Sequence, residues 1–220
     1  MNRPDLQGYG MTSLRSRERL VAQLQQMGIR HSGVLEAIKT VPRHLFMDEA
    51  LSSRAYENSA LPIGLGQTIS QPYIVARMSE VVVADNPDKV LEIGTGCGYQ
   101  TAILATLCRE VLTIERIRSL YERARSNLRQ VGVRNAYQRF GDGYEGWERY
   151  APFDAIVVTA APSTIPQTLL QQLTEGGRLV LPVGGTEEQQ LLAITRRGDE
   201  FEEQWLEAVK FVPMLGGTAV

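Results

Sequence analysis

The chain has 220 residues, 43% of them apolar and 22% charged, enough for one large domain with a substantial core and too hydrophobic for a disordered polymer. A net charge of −2 and a pI near 5.8 supply no global positive field for nucleic acid. No apolar run reaches the roughly 18–20 residues of a membrane span, and the polar N-terminus lacks an apolar secretory segment. Two cysteines, Cys97 and Cys108, and two histidines, His31 and His44, show neither CxxC nor metal-ligand spacing. The expectation is a soluble, reduced, cytoplasmic, monomeric protein with no metal site, no membrane segment and no nucleic-acid partner.

In chain order, residues 1 to about 13 read as a mobile tail. Leu14, Leu20, Val21, Leu24 and Met27 share one helical face, which Gly28 ends. Ser32 is expected to cap a second helix with Val34, Leu35 and Ile38 inward, broken by Pro42. A loop-rich connector follows, and Pro72 opens a helix to about residue 83. Beyond Asp85-Asn86-Pro87 the texture becomes alternating strand and helix: strands at 89–93, 111–114, 136–140, 153–159, 178–182, 190–196 and 204–212, and helices at 99–107, 117–131 and 166–173. Gly176-Gly177 is read as the stop of that last helix, and the Arg-rich stretch 116–129 as a solvated helix face. Such alternation predicts a doubly wound α/β fold with a mainly parallel seven-stranded sheet, closed at one edge by an antiparallel pair. The expected organisation is an N-terminal helical extension and covering segment (14–85) on an α/β core (86–220), together one integrated domain.

The most informative segment is Val90-Leu91-Glu92-Ile93-Gly94-Thr95-Gly96-Cys97-Gly98-Tyr99, a strand entering a glycine-rich turn that opens a helix. Glycines allow positive φ and close approach of a ligand, and such a turn lies at the carboxyl end of the first strand of an open sheet, where ligands bind. A dinucleotide fingerprint requires glycine three residues after Gly96, where Tyr99 stands. The G-x-G-x-G spacing suits a ligand without pyrophosphate. Glu92 is a candidate for its cationic amino-acid portion, and Gly94, Thr95, Gly96 and Gly98 for backbone contact. Glu115 ends the second strand, placed to accept both ribose hydroxyls, and Arg116 follows it. Asp142 and Gly143, after the third strand, are placed to read an adenine edge. Three carboxylates at the ends of three successive strands point to S-adenosylmethionine, with S-adenosyl-L-homocysteine as product.

The chain resembles the protein-L-isoaspartate O-methyltransferases from about Leu20 to Met214. The marks are Val41-Pro42-Arg43, Leu61-Pro62-Ile63-Gly64, Gln67-Thr68-Ile69-Ser70-Gln71-Pro72, the glycine turn with Tyr99-Gln100-Thr101-Ala102, and Glu115-Arg116-Ile117. Further marks are Gly141-Asp142-Gly143, Gly146-Trp147, Ala151-Pro152-Phe153-Asp154, Thr159-Ala160-Ala161 and Phe211-Val212-Pro213. Many methyltransferases share the glycine turn, whereas the 67–72 segment is specific to this family. The resemblance implies a Rossmann-like S-adenosylmethionine-dependent enzyme with Ser70 at the catalytic position. It implies Thr68, Ser70 and Gln71 on the substrate side, and Ile69, Glu115, Arg116, Asp142, Gly143, Thr159 and the glycine turn on the cofactor side. Asn58 stands where some members carry Asp and receives no catalytic role. The chain also ends soon after Pro213, where longer members add cofactor contacts. The family is known for a rearrangement among its last strands, so their order stays open.

The chemistry agrees with the residue types. The free carboxylate of an isoaspartyl residue titrates near pH 4 and is already a nucleophile at neutral pH, so the absence of His or Lys from the 67–72 segment is no obstacle. Positioning of carboxylate and methyl can contribute roughly 7–11 kcal/mol. Standing alone, Ser70 reads equally well as a helix N-cap two residues before Pro72. Cys97 reads as a small turn residue, His44 as connector packing, and Trp147 and Trp205 as core or edge packing. The rival readings are a methyltransferase of RNA or a small metabolite and a non-catalytic S-adenosylmethionine sensor. The acidic pI and few aromatics oppose RNA, and an intact 67–72 segment opposes a sensor.

Overall fold

The computed structural model describes residues 8–220, so residues 1–7 of the expected tail lie outside the described residues. The remainder of that stretch includes one turn of 3-10 helix, Gly10–Thr12. The first two helices are α1 (Leu14–Gln26) and α2 (Ser32–Thr40). The cap of α2 is His31, not Ser32: its Nδ1 accepts from Val34 N at 3.3 Å. Glu80 Oε1 accepts from both Arg30 N and His31 N at 2.7 Å, fixing the entry to that helix.

The connector expected to be loop contains a small hairpin, β1 (Leu61–Gly64) paired antiparallel with β2 (Gln67–Ile69). Its turn runs through positive φ at Gly64, Leu65 and Gly66, which glycine tolerates and leucine at 56° does not adopt readily. The hairpin buries Leu61, Ile63 and Ile69 and leaves Thr68 exposed. Helix α3 (Pro72–Val82) follows directly.

The α/β core runs β3 (Lys89–Ile93), α4 (Tyr99–Leu107), β4 (Glu110–Glu115), α5 (Arg118–Gln130), β5 (Ala136–Phe140), β6 (Phe153–Val158), α6 (Gln167–Gln171), β7 (Leu173–Gly184), β8 (Gln189–Arg197) and β9 (Glu200–Ala208). The seven strands lie in the order β5-β4-β3-β6-β7-β8-β9. Strands β5 to β7 pair in parallel, and β8 and β9 complete the sheet antiparallel. The first three strands run outward from β3 in one direction and the later ones in the other. The switch point between β3 and β6 is where an open α/β sheet binds ligands.

Strand alternation divides the interior into two cores. Val90, Val111, Ala155, Val157, Val180 and Leu191 pack with the N-terminal helices, α3, α4 and α5, whereas Leu91, Leu112, Ile156, Leu179 and Leu192 pack with α6 on the other face. Three expectations change at the C-terminal end. Helix α6 is five residues long. Gly176-Gly177 lies inside β7, which begins at Leu173. Strand β9 spans 200–208, so residues 209–213 are free of the strand.

Candidate functional site

A cavity of about 750 Å³ opens at the carboxyl ends of β3, β4 and β6, between the hairpin segment 67–71 and the segment 208–215. The glycine turn forms its floor. Gly94 N and Thr95 N donate to Ile114 O at 2.8 and 3.3 Å. Thr159 Oγ1 donates to Gly94 O at 2.6 Å, tying the turn to β6. At Gly94, φ is +95° and an added Cβ would sit 2.5 Å from Thr159 Oγ1, so no other residue fits this close approach.

Glu115 is 4% exposed and lines the cavity. Its Oε2 accepts from Gly96 N and its Oε1 from Ile117 N, each at 2.8 Å. Each oxygen keeps a second lone pair, so the carboxylate is held rigidly and can still accept two further donors. Burial pushes its carboxyl upward, against the backbone N–H groups of Ile117 and Gly96 that favour the anion. A rigid, twice-accepting carboxylate beside glycines that leave room for a ligand fits the diol and amino-acid end of S-adenosylmethionine.

Of the residues expected on the wall, Thr68, Ile69, Ser70, Gln71, Gly94, Thr95, Gly96, Glu115, Arg116, Gly143 and Thr159 line this cavity together. Three do not. Glu92 faces away from it, because alternation along β3 turns Ile93 toward the cavity and Glu92 toward α4. There Glu92 is fully buried with its Oε2 2.5 Å from Thr101 Oγ1, so it cannot grip a ligand's cationic end directly. Gly98 lies beneath the turn, where an added Cβ would meet Leu128 Cγ at 3.2 Å; its absence allows α4 and α5 to pack. Asp142 is not on the wall either. Its Oδ1 accepts from Tyr144 N at 2.8 Å and its Oδ2 from Gly217 N at 2.5 Å. It therefore anchors the C-terminal segment, with Arg116, whose Nε donates to Gly217 O at 3.0 Å.

Ser70 is not the helix cap. The N-cap of α3 is Gln71, with Pro72 in the first helical position. Among the described residues the Ser70 hydroxyl makes no protein hydrogen bond, and it faces the cavity.

Several wall residues escaped the sequence reading: Ile74, Gln100, Leu120 and the run 208–215. The last was expected to be strand as far as 212. Gln189 holds it off the sheet: its Oε1 accepts from Phe211 N at 2.6 Å and its Nε2 donates to Phe211 O at 3.1 Å. The Phe211-Val212-Pro213 mark was the signal that this run matters. Cys97 is buried in the wall, and burial raises its thiol, leaving it unreactive. His44 packs in the connector with Nδ1 2.9 Å from Tyr56 OH. Trp147 stacks edge-on against Tyr150, whereas Trp205 stands 58% exposed on the edge strand rather than in a core. Among the described residues no cluster of His, Cys, Asp or Glu could hold a metal.

The family model for protein-L-isoaspartate(D-aspartate) O-methyltransferase matches residues 15–219. A protein-L-isoaspartate O-methyltransferase of Halorhodospira halophila is 57% identical over 211 residues, 96% of each chain. Among solved structures, a protein-L-isoaspartate O-methyltransferase superposes with a TM-score of 0.84 at 28% identity, covering 92% of this chain and 67% of the other. A Plasmodium falciparum structure in complex with S-adenosyl-L-homocysteine superposes with a TM-score of 0.80 at 23% identity, covering 90% and 98%. Strand order, cavity and match over nearly the whole length agree, and the chain belongs to the protein-L-isoaspartate(D-aspartate) O-methyltransferase family.

Proposed function

We propose that the chain methylates the free carboxylate of L-isoaspartyl residues in damaged proteins and peptides, using S-adenosylmethionine, and thereby starts their repair. The observation that carries the site assignment is the Ser70 hydroxyl, unbonded within the described protein and facing the same cavity as Glu115 and the glycine turn. S-adenosylmethionine, when bound, supplies a methyl group on a positively charged sulfur and leaves as S-adenosyl-L-homocysteine.

The chain's own residues bind and orient. Glu115 accepts the ribose hydroxyls with its remaining lone pairs, and Gly94, Thr95 and Gly96 admit the amino-acid end. Gly143 and Ile69 close on the adenine side, with Arg116 and Thr159 holding the surrounding segments. Ser70 donates to the substrate carboxylate, flanked by Thr68 and Gln71, and holds one oxygen in line with the methyl. A single neutral hydroxyl grips the carboxylate lightly, which suits a group whose charge disappears in the transition state. No general base is needed, since the carboxylate is ionised well below neutral pH. The following backbone nitrogen attacks the product ester and expels methanol, which takes the nitrogen's proton, and the resulting succinimide is hydrolysed by water partly to normal aspartate.

The reading includes a cytoplasmic monomer acting on protein substrates; the net charge of −2 supports its acting without nucleic acid. Among the described residues no helix is long and apolar enough to cross a membrane. The site assignment is tested by Ser70→Ala: methylation of an isoaspartyl peptide slows by about tenfold or more, while S-adenosyl-L-homocysteine affinity by calorimetry stays within a few-fold. An unchanged rate, or lost cofactor binding, removes Ser70 from the substrate carboxylate.

A further inference from the structure

Helix α3 begins immediately after the segment that carries Ser70, and its start is organised unusually. The N-cap residue, Gln71, makes no side-chain capping bond. The cap is supplied from fifteen residues upstream: Asn58 Oδ1 accepts from Tyr73 N at 2.9 Å. Tyr73 follows Pro72, so its N–H is the first donor of the helix and belongs to the set that a capping side chain ordinarily satisfies. Gln71 returns the contact, donating from Nε2 to Asn58 O at 3.0 Å. Asn58 Nδ2 in turn points at Met27 Sδ at 3.2 Å.

Asn58 is itself held from behind. Arg43, fully buried, donates from Nε to Ala55 O at 2.9 Å and from Nη2 to Ser59 O at 3.3 Å. Its guanidinium rests 5.0 Å from the ring of Tyr99, which lines the cavity. The short stretch bearing Asn58 is therefore braced on both sides against the floor of the site.

Resting on the reading that Ser70 meets the substrate carboxylate, we infer that Asn58 is a positioning residue for the reaction: by capping α3 in place of Ser70 it leaves the Ser70 hydroxyl free to face the cavity. A Ser two residues before a helical Pro competes for this capping bond when no other acceptor is supplied. With Asn58 removed, Tyr73 N–H is left without its acceptor, and the Ser70 hydroxyl, three residues earlier in the chain, competes to take its place. The catalytic segment would then lose both its register and its free donor.

The experiment is a double-mutant cycle on the full chain with Asn58→Ala and Ser70→Ala, reading kcat and KM for an isoaspartyl peptide and calorimetric affinity for S-adenosyl-L-homocysteine. Asn58→Ala is expected to lower kcat by about tenfold or more, with cofactor affinity unchanged. In the Ser70→Ala background the same substitution is expected to change kcat by less than about twofold, because its effect passes through Ser70. Asn58→Asp keeps the acceptor for Tyr73 N–H at a helix N-terminus and is expected to restore kcat. Should Asn58→Ala not fold, Asn58→Ser, one bond too short to cap, takes its place in the cycle. Equal losses in both backgrounds, or failure of Asp to rescue, overturn the positioning role. No loss in Ser70→Ala alone overturns instead the reading on which it rests.

Discussion

Replacing Glu92 by Gln should change how stability depends on pH more than it changes stability itself. Glu92 sits fully buried on β3, with the Thr101 hydroxyl 2.5 Å from Oε2 and the Thr113 hydroxyl also beside the carboxyl. Burial pushes its carboxyl from 4.5 up to about 8, against the Thr101 and Thr113 hydroxyls. The folded protein therefore keeps a proton that the unfolded chain releases near pH 4.5. Because the folded value is raised, stability is full below the unfolded value, falls as pH rises, and levels off above about 8. One pH unit inside that window is worth about 1.4 kcal/mol. Between pH 6 and 8 the loss reaches about 2 kcal/mol once partial ionisation near the upper end is included. Urea unfolding of the ligand-free protein at both pH values, for wild type and Glu92→Gln, isolates this group, since every other titration is common to the two. Wild type should lose about 2 kcal/mol more than the variant across the window. Parallel losses would show that Glu92 is ionised in the fold and that its burial has been misjudged.

Three further outcomes follow from the same geometry. Glu115→Ala removes two charged acceptors and orphans the Gly96 and Ile117 N–H groups. It should weaken S-adenosylmethionine binding by about 100-fold or more, read by calorimetry; unchanged affinity would take Glu115 off the ribose. Gly143→Ala forces a Cβ to within 2.3 Å of Ile93 Cγ2 and 3.2 Å of Met214 Cε. The expected destabilisation is about 1–3 kcal/mol, seen as a fall of about 2–4 °C in Tm per kcal/mol, and a variant as stable as wild type would contradict the packing. Gln189→Ala leaves Phe211 N–H and C=O without partners. It should cost about 1–3 kcal/mol in urea unfolding and lower kcat/KM for the peptide, whereas a neutral result would mean the 209–215 wall holds itself.

The core was legible because each strand and helix there carries its own pattern. Strand β3, helix α4 and strand β5 lie where the alternation and the glycine turn place them, and the switch point follows from the order of elements. The hairpin 61–69 was not legible: Pro62, Gly64 and Gly66 read as breakers, and only pairing of Leu61 with Ile69 shows why an extended backbone is held there. Gly176-Gly177 falls in an irregularity of β7, where the register with β6 jumps from Leu173 to Arg178 and pairing with β8 begins only at Arg178, so the glycines interrupt the ladder without ending the strand. Spacing located carboxylates at strand ends but not the direction each one faces. Glu115 closes its strand beside the turn and so lines the cavity. Glu92 lies one residue before Ile93 and so faces the opposite core, while Asp142 lies off the cavity wall with its oxygens on the N–H groups of Tyr144 and Gly217. The competition between Ser70 as cap and Ser70 as site residue could not be decided from sequence, because the acceptor that caps α3, Asn58 Oδ1, lies on a different segment.

The central claim is most directly tested by methyl transfer from labelled S-adenosylmethionine to two peptides identical except for an aspartyl or an isoaspartyl linkage. The account predicts base-labile label on the isoaspartyl peptide alone. Equal labelling of both peptides, or of neither while S-adenosyl-L-homocysteine still binds, would contradict it.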